Sequence, residues 1–157
     1  MARMTVRMAF VIVFGAISAV AAHAQSASTV TCDVTPMSPY ISNAGLTVFG
    51  ADTGGEIVFR PGGSGFVTSD GALGMKFGWE RAVRGRLTIE GRRLDAPASP
   101  LRSEVNNGYG DFGFQASYVI FPTPGCWEVT GKVGEASLTF ITRVVLIGDG
   151  PSWRRGR

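Results

Sequence analysis

The sequence predicts an all-β domain, an antiparallel β-sandwich of about seven to nine short strands. Three observations carry that expectation. The stretch Ser117–Ile147 divides into three β-type runs bounded by Gly or Pro, with period-two alternation in the last two. The 22 glycines and 8 prolines punctuate the chain often enough for many tight turns. After residue 25 no stretch holds the i, i+3, i+4, i+7 pattern for three turns, so almost no helix is expected.

The first 24 residues read as an export signal rather than as part of the fold. Arg3 and Arg7 precede the apolar run Met8–Ala22, and Ala22-His23-Ala24 supplies a small-x-small cleavage site. The run is short for a membrane span, and no cysteine stands at the cleavage point to take a lipid. The expected domains are therefore a signal peptide at 1–24, one sandwich domain at 25–150 and a basic tail at 151–157. Losing Arg3 and Arg7 takes the formal charge from +3 to +1. That near-neutral balance argues against a nucleic-acid partner. The three arginines of Trp153–Arg157 give only marginal attraction to anionic lipid, so no stable membrane insertion is expected after cleavage. The destination is the periplasm or the cell exterior.

Along the mature chain, Thr29–Val34 is predicted as a first strand, stopped by Pro36 and Pro39. Leu46–Phe49 and Glu56–Phe59 are two more, joined by the turn chemistry of Gly50–Gly55. Pro61–Gly65 lacks the Gly-Lys-Ser/Thr ending of a phosphate loop and reads as a hairpin loop. Phe66-Val67 and Ala72–Trp79 suggest a hairpin turning at Asp70-Gly71. In Gly85–Leu94, Leu87 and Ile89 face inward while Arg86, Thr88 and Glu90 face out. Asp95–Pro100 is a break, and Ser103–Gly113 is expected as a loop, with Asn107-Gly108 supplying positive φ.

Ser117–Ile147 is expected at the edge of the core. Trp127, Val129, Gly131 and Val133 share one face, and Glu128, Thr130 and Lys132 the other. Lys132–Ala136 reads as a hairpin connection. Beyond it Leu138, Phe140, Val144 and Leu146 form an inner face opposite Thr139 and Arg143.

Cys32 and Cys126 are the only cysteines, and in an oxidising compartment they predict a disulfide. Closing so long a loop is worth roughly 4–5 kcal/mol at most. Because Trp127 is inward, Cys126 is expected on the polar face or at the strand's mouth. The bridge would then staple the N-terminal segment to the outside of this strand.

The single histidine, His23, lies in the predicted signal. The mature chain therefore lacks the base for Ser-His-Asp or Cys-His nucleophiles and the usual zinc and copper ligands. No metal site, cofactor or catalytic residue is expected. Met37 and Met75 are assigned to packing. Carboxylate-pair hydrolysis is the alternative that needs no histidine. Its candidates, Glu80, Glu90, Asp95, Glu104, Asp111 and Glu128, are scattered without paired spacing. Recognition is the first expectation. Trp79, Arg81, Arg84 and Arg86 form a basic-aromatic segment, and Tyr109, Phe112 and Phe114 an aromatic Gly-rich loop. Together they suit a protein or an envelope polysaccharide.

Phe121-Pro122-Thr123-Pro124-Gly125-Cys126-Trp127-Glu128-Val129, followed by Ser137-Leu138-Thr139-Phe140, resembles immunoglobulin-like domains of exported bacterial proteins. With Leu87–Asp95 the chain is similar to short, uncharacterised exported proteins of that kind. The resemblance spans roughly residues 85–147 and implies an immunoglobulin-like fold, a non-catalytic binding or structural role, and no particular ligand. It departs from antibody-type domains at Pro124, where the tyrosine corner would stand.

Overall fold

A computed structural model describes residues 31–51 and 54–148. The predicted signal at 1–24, the start of the mature domain and the tail at 151–157 lie outside those residues. Ten strands and no helix occur among the described residues: β1 (Ile41–Asn43), β2 (Leu46–Phe49), β3 (Glu56–Phe59), β4 (Phe66–Val67), β5 (Leu73–Arg81), β6 (Thr88–Arg93), β7 (Arg102–Val105), β8 (Gly113–Phe121), β9 (Gly125–Val133) and β10 (Ala136–Leu146).

They pack as two sheets. The six-stranded sheet runs β1-β2-β5-β8-β7 with β4 alongside β5; the four-stranded sheet runs β3-β10-β9-β6. All pairs are antiparallel except β3 with β10, where Glu56 lies opposite Arg143 in a parallel ladder. The order β2-β5-β8-β7 against β6-β9-β10 reproduces the A-B-E-D and C-F-G sheets of the immunoglobulin constant-type sandwich. The fold is an immunoglobulin-like β-sandwich.

Three expectations change. Residues 31–37 carry no strand: the segment that includes Cys32 and Pro36 makes no continuous ladder. Thr35 alone bonds to Ile141 of β10, donating its N–H to the carbonyl (2.8 Å) and accepting the Ile141 N–H on Oγ1 (3.0 Å). The expected loop at 103–113 begins with a strand, since Ser103–Val105 belong to β7. Finally, β9 and β10 are the two central strands of their sheet, not an edge. The strand count exceeds the expected seven to nine because the three-residue β1 and the half-exposed β7 lack a legible apolar pattern, while Phe66-Val67 forms β4 as expected.

The core lies between the sheets. Phe77 meets Phe140 at 5.9 Å between ring centroids, and Phe121 meets Trp127 at 5.6 Å. Each buried aromatic of this kind contributes roughly 1.5–3 kcal/mol by leaving water. Trp79 crosses from β5 to β9 and lies on Gly131, where a Cβ would come within 2.4 Å of its ring. In antibody domains the inter-sheet disulfide joins these two strands; here an indole over a glycine does so. Met37 and Met75 are core residues.

Cys32 and Cys126 are bridged across a sequence separation of 94. Cys126 lies opposite Arg143 on the face away from Trp127, as the alternation required. It is nevertheless only 1% exposed, a correction to the polar surface position expected for it. Val34, Thr35 and the disulfide lie along that side of the sheet, and Met37 enters the core beyond them.

Candidate functional site

The sequence-predicted site residues converge on one end of the sandwich, where β5 ends and β8 begins. The 82–87 connection (between β5 and β6) and the 106–112 connection (between β7 and β8) meet there. They meet because Gly113 pairs with Arg81 in the β5–β8 ladder, and Gly85 N–H donates to the Asp111 carbonyl at 2.8 Å.

Two of the predicted residues are not loop residues at all. Trp79 and Arg81 are on β5 with 0% and 1% exposure. Both fall on the inward parity of that strand, with Leu73, Met75 and Phe77. Trp79 donates its indole N–H to Ser117 Oγ at 3.2 Å and closes the core. The Arg81 guanidinium is wrapped in main-chain carbonyls. Nε donates to Gly113 (3.1 Å), Nη1 to Gly85 (2.9 Å) and Gly110, and Nη2 to Tyr109, Gly110 and Phe112. Both loops are therefore folded around one buried cation, whose planar fork suits several acceptors at once.

Arg84, Tyr109 and Phe112 are exposed, as expected. Arg84 bonds Asp111 at 2.9 Å and sits 5.5 Å from the Phe112 ring centroid, a cation–π contact at the loop tip. Phe112 and Phe114 remain 53% and 43% exposed.

An aromatic face extends from this end across the outside of the six-stranded sheet. Tyr109 packs edge-on against Phe114 at 5.5 Å, and Phe114 stacks with Phe49 at 6.3 Å and an interplanar angle of 13°. Phe49 lies over Gly78, where any Cβ would come within 2.3 Å of its ring. Farther along the same face Phe66 meets Tyr118 at 5.5 Å. The ladders place Phe49 opposite Gly78, Phe66 opposite Gly74 and Tyr118 opposite Lys76, so these rings share one side. Sequence reasoning did not single out Phe49, Phe66 or Tyr118. The parity of Leu46-Thr47-Val48-Phe49 contains the signal for the first: with Leu46 and Val48 buried, Phe49 must face out.

The opposite outer face differs in kind. On the four-stranded sheet Glu90 pairs with Lys132, Arg92 with Glu128 (2.8 Å) and Arg143 with Glu56 (3.8 Å). These are solvent-facing ion pairs of small net worth. Asp95 is tied to Arg93 at 2.6 Å, and that hydrogen bond holds its carboxyl below the usual carboxylate range. Asp70 is lowered further by its hydrogen bond to Arg102, then by that from Thr68. Both shifts run opposite to what a general acid requires. Of the hydrolase candidates, Glu90, Asp95, Asp111 and Glu128 are each bound to a cation.

A cavity of about 230 Å³ opens between the two loops, lined in part by Arg81, Arg86, Asn106, Asn107, Tyr109 and Gln115. Gln115 is buried and donates to the carbonyls of Asn106 and Ala116, both at 2.8 Å, which fixes the wall of the cavity. Among the described residues no three His, Cys, Asp or Glu side chains are grouped to hold a metal ion. No helix among them is long and apolar enough to cross a membrane.

The fold and this loop-end site define an immunoglobulin-like β-sandwich with an aromatic outer face. No protein-family model and no curated protein matches the chain. Among solved structures it is similar to domains 4 and 5 of the S-layer protein SbsC, at 14% identity and a TM-score of 0.34. The match covers 50% of this chain and 40% of that one, a likeness too slight to add to the argument.

Proposed function

We propose that this chain is a non-catalytic exported module that binds a polysaccharide of the envelope or the surroundings through its aromatic face. The observation that carries the reading is the Tyr109–Phe114–Phe49 group, with Phe114 and Phe49 stacked nearly parallel on the sheet surface and Tyr109 edge-on to Phe114. Exposed rings such as Tyr109 and Phe114, continued by the half-buried Phe49, suit the apolar C–H faces of sugar rings and order few rotatable bonds on binding. Loops clustered at one end of a sandwich are a usual place for recognition. The disulfide is the mark of an exported or extracellular chain, which agrees with the N-terminal signal read from the sequence.

Native affinity electrophoresis through gels containing soluble polysaccharides tests this. Retardation by at least one neutral or acidic polymer is expected. Phe114→Ala should weaken it by about tenfold, the loss of one stacked ring. Retardation by none of the polymers, or retardation unchanged in Phe114→Ala, refutes the reading.

A further inference from the structure

We propose that the cavity between the 82–87 and 106–112 loops is a carboxylate subsite, and that the polymer bound at the aromatic face is an acidic one built of uronate units. This inference rests on the polysaccharide reading above and names its substrate class.

The charge balance around the cavity is the first ground. Arg81 forms one wall from a fully buried position, and all its hydrogen bonds run to carbonyl oxygens rather than to a carboxylate. Its five N–H groups are all engaged, so it acts as a fixed positive charge and not as a donor to ligand. Arg86, at the cavity's edge, is exposed and has no ion pair among the described residues. Arg84 is matched by Asp111. The cavity lining itself holds two guanidinium groups, Arg81 and Arg86, and one carboxylate, Asp111, which Arg84 already engages, so the surplus positive charge lies on Arg81 and Arg86. Desolvated positive charge draws an anion far more strongly than exposed charge does.

Shape and connection supply the second ground. About 230 Å³ is room for a single pyranose ring. Asn106 and Asn107 add amides suited to hydroxyl groups. Tyr109 belongs to both parts of the surface: it lines the cavity and packs edge-on against Phe114 at 5.5 Å. A polymer seated on the aromatic face therefore runs directly to the cavity. There Arg86 is placed to take a planar carboxylate in a bidentate fork.

Isothermal titration of the full mature chain distinguishes these possibilities, with hexagalacturonate, its methyl ester and dextran sulfate as probes. The ester keeps the rings and removes the charge. The acid should bind about tenfold or more tightly than the ester, and only the acid should weaken steeply with added salt. Arg86→Gln should bring the acid down to the level of the ester, with an unchanged melting temperature to show that the fold persists. Phe114→Ala should weaken acid and ester together. Equal binding of acid and ester, no loss in Arg86→Gln, or dextran sulfate binding as tightly as the uronate overturns the subsite. If the ester binds and depends on Phe114 while those results hold, the aromatic-face reading survives. If the acid binds through Arg86 without dependence on Phe114, the subsite stands and the aromatic face fails. If no probe binds, the inference is overturned, and the broader gel panel decides the polysaccharide reading separately.

Discussion

Replacing Arg81 with methionine tests whether one buried cation organises the loop end. The side-chain stem is kept and the guanidinium removed, which leaves five carbonyls without their donor: those of Gly85, Tyr109, Gly110, Phe112 and Gly113. Tyr109, Gly110 and Phe112 are exposed, so water replaces the lost partner there. Gly85 and Gly113 are half-buried, and each orphaned carbonyl costs about 1–3 kcal/mol. Removing the buried charge returns part of its desolvation penalty and so offsets part of that cost. A net loss of about 3 kcal/mol is expected. With a urea dependence of about 1–3 kcal/mol per molar, that is a midpoint shift of roughly 1–3 M. Hydrogen exchange should show the larger local effect, with protection at residues 109–113 collapsing while β9 and β10 hold theirs. Arg81→Lys keeps the charge but offers three donors from one point, and should fall between the two. A loss under about 1 kcal/mol with unchanged protection in the loop, or a lysine variant as stable as the parent, would show that the loops do not depend on the guanidinium.

Gly131→Ala forces a Cβ to within 2.4 Å of the Trp79 ring and should cost about 1–3 kcal/mol as overpacking. Adding Trp79→Phe should recover part of that loss in a double-mutant cycle, whereas simple additivity would deny the contact. Breaking the Cys32–Cys126 bridge with Cys32→Ser should lower stability by about 2–5 kcal/mol, the range for a long closed loop. Reductant should do the same to the parent and nothing to Cys32→Ser/Cys126→Ser in denaturant titrations.

Where side-chain period and burial agree, the strands were readable from residues alone. Glu56–Phe59 and Leu46–Phe49 have the predicted bounds, and Leu87 and Ile89 point inward as their alternation required. Trp127 is the inward anchor and Cys126 faces away from it. Arg81 shows where such reading fails. Parity with Phe77 and Trp79 puts it inside, but charge argues for the surface. The acceptors that settle the conflict lie 28 to 32 residues further along the chain on another loop, apart from Gly85 nearby. Only the tertiary fold brings them together. β7 escaped notice for a related reason: its half-exposed residues show no apolar face, and Ser103 is held by its Oγ donating to the Ile89 carbonyl at 2.9 Å. The aromatic face was half-legible, because Tyr109, Phe112 and Phe114 cluster in sequence while Phe49, Phe66 and Tyr118 join them only through strand pairing.

The position of the disulfide follows from the same division of labour. An indole and a glycine already occupy the contact between β5 and β9, so a bridge there would have no room. Instead Cys126 reaches outward to Cys32, and the segment after Cys32 lies beside β10 where β3 does not. β3 pairs with β10 only from Arg143 to Leu146, which would leave the backbone of Ile141 open at the sheet edge. Thr35 fills that gap with its N–H and hydroxyl. Open edges invite pairing with other chains. The bridge thus stabilises the domain by constraining the unfolded chain, and it also holds closed the edge of the sheet that lies opposite the aromatic face.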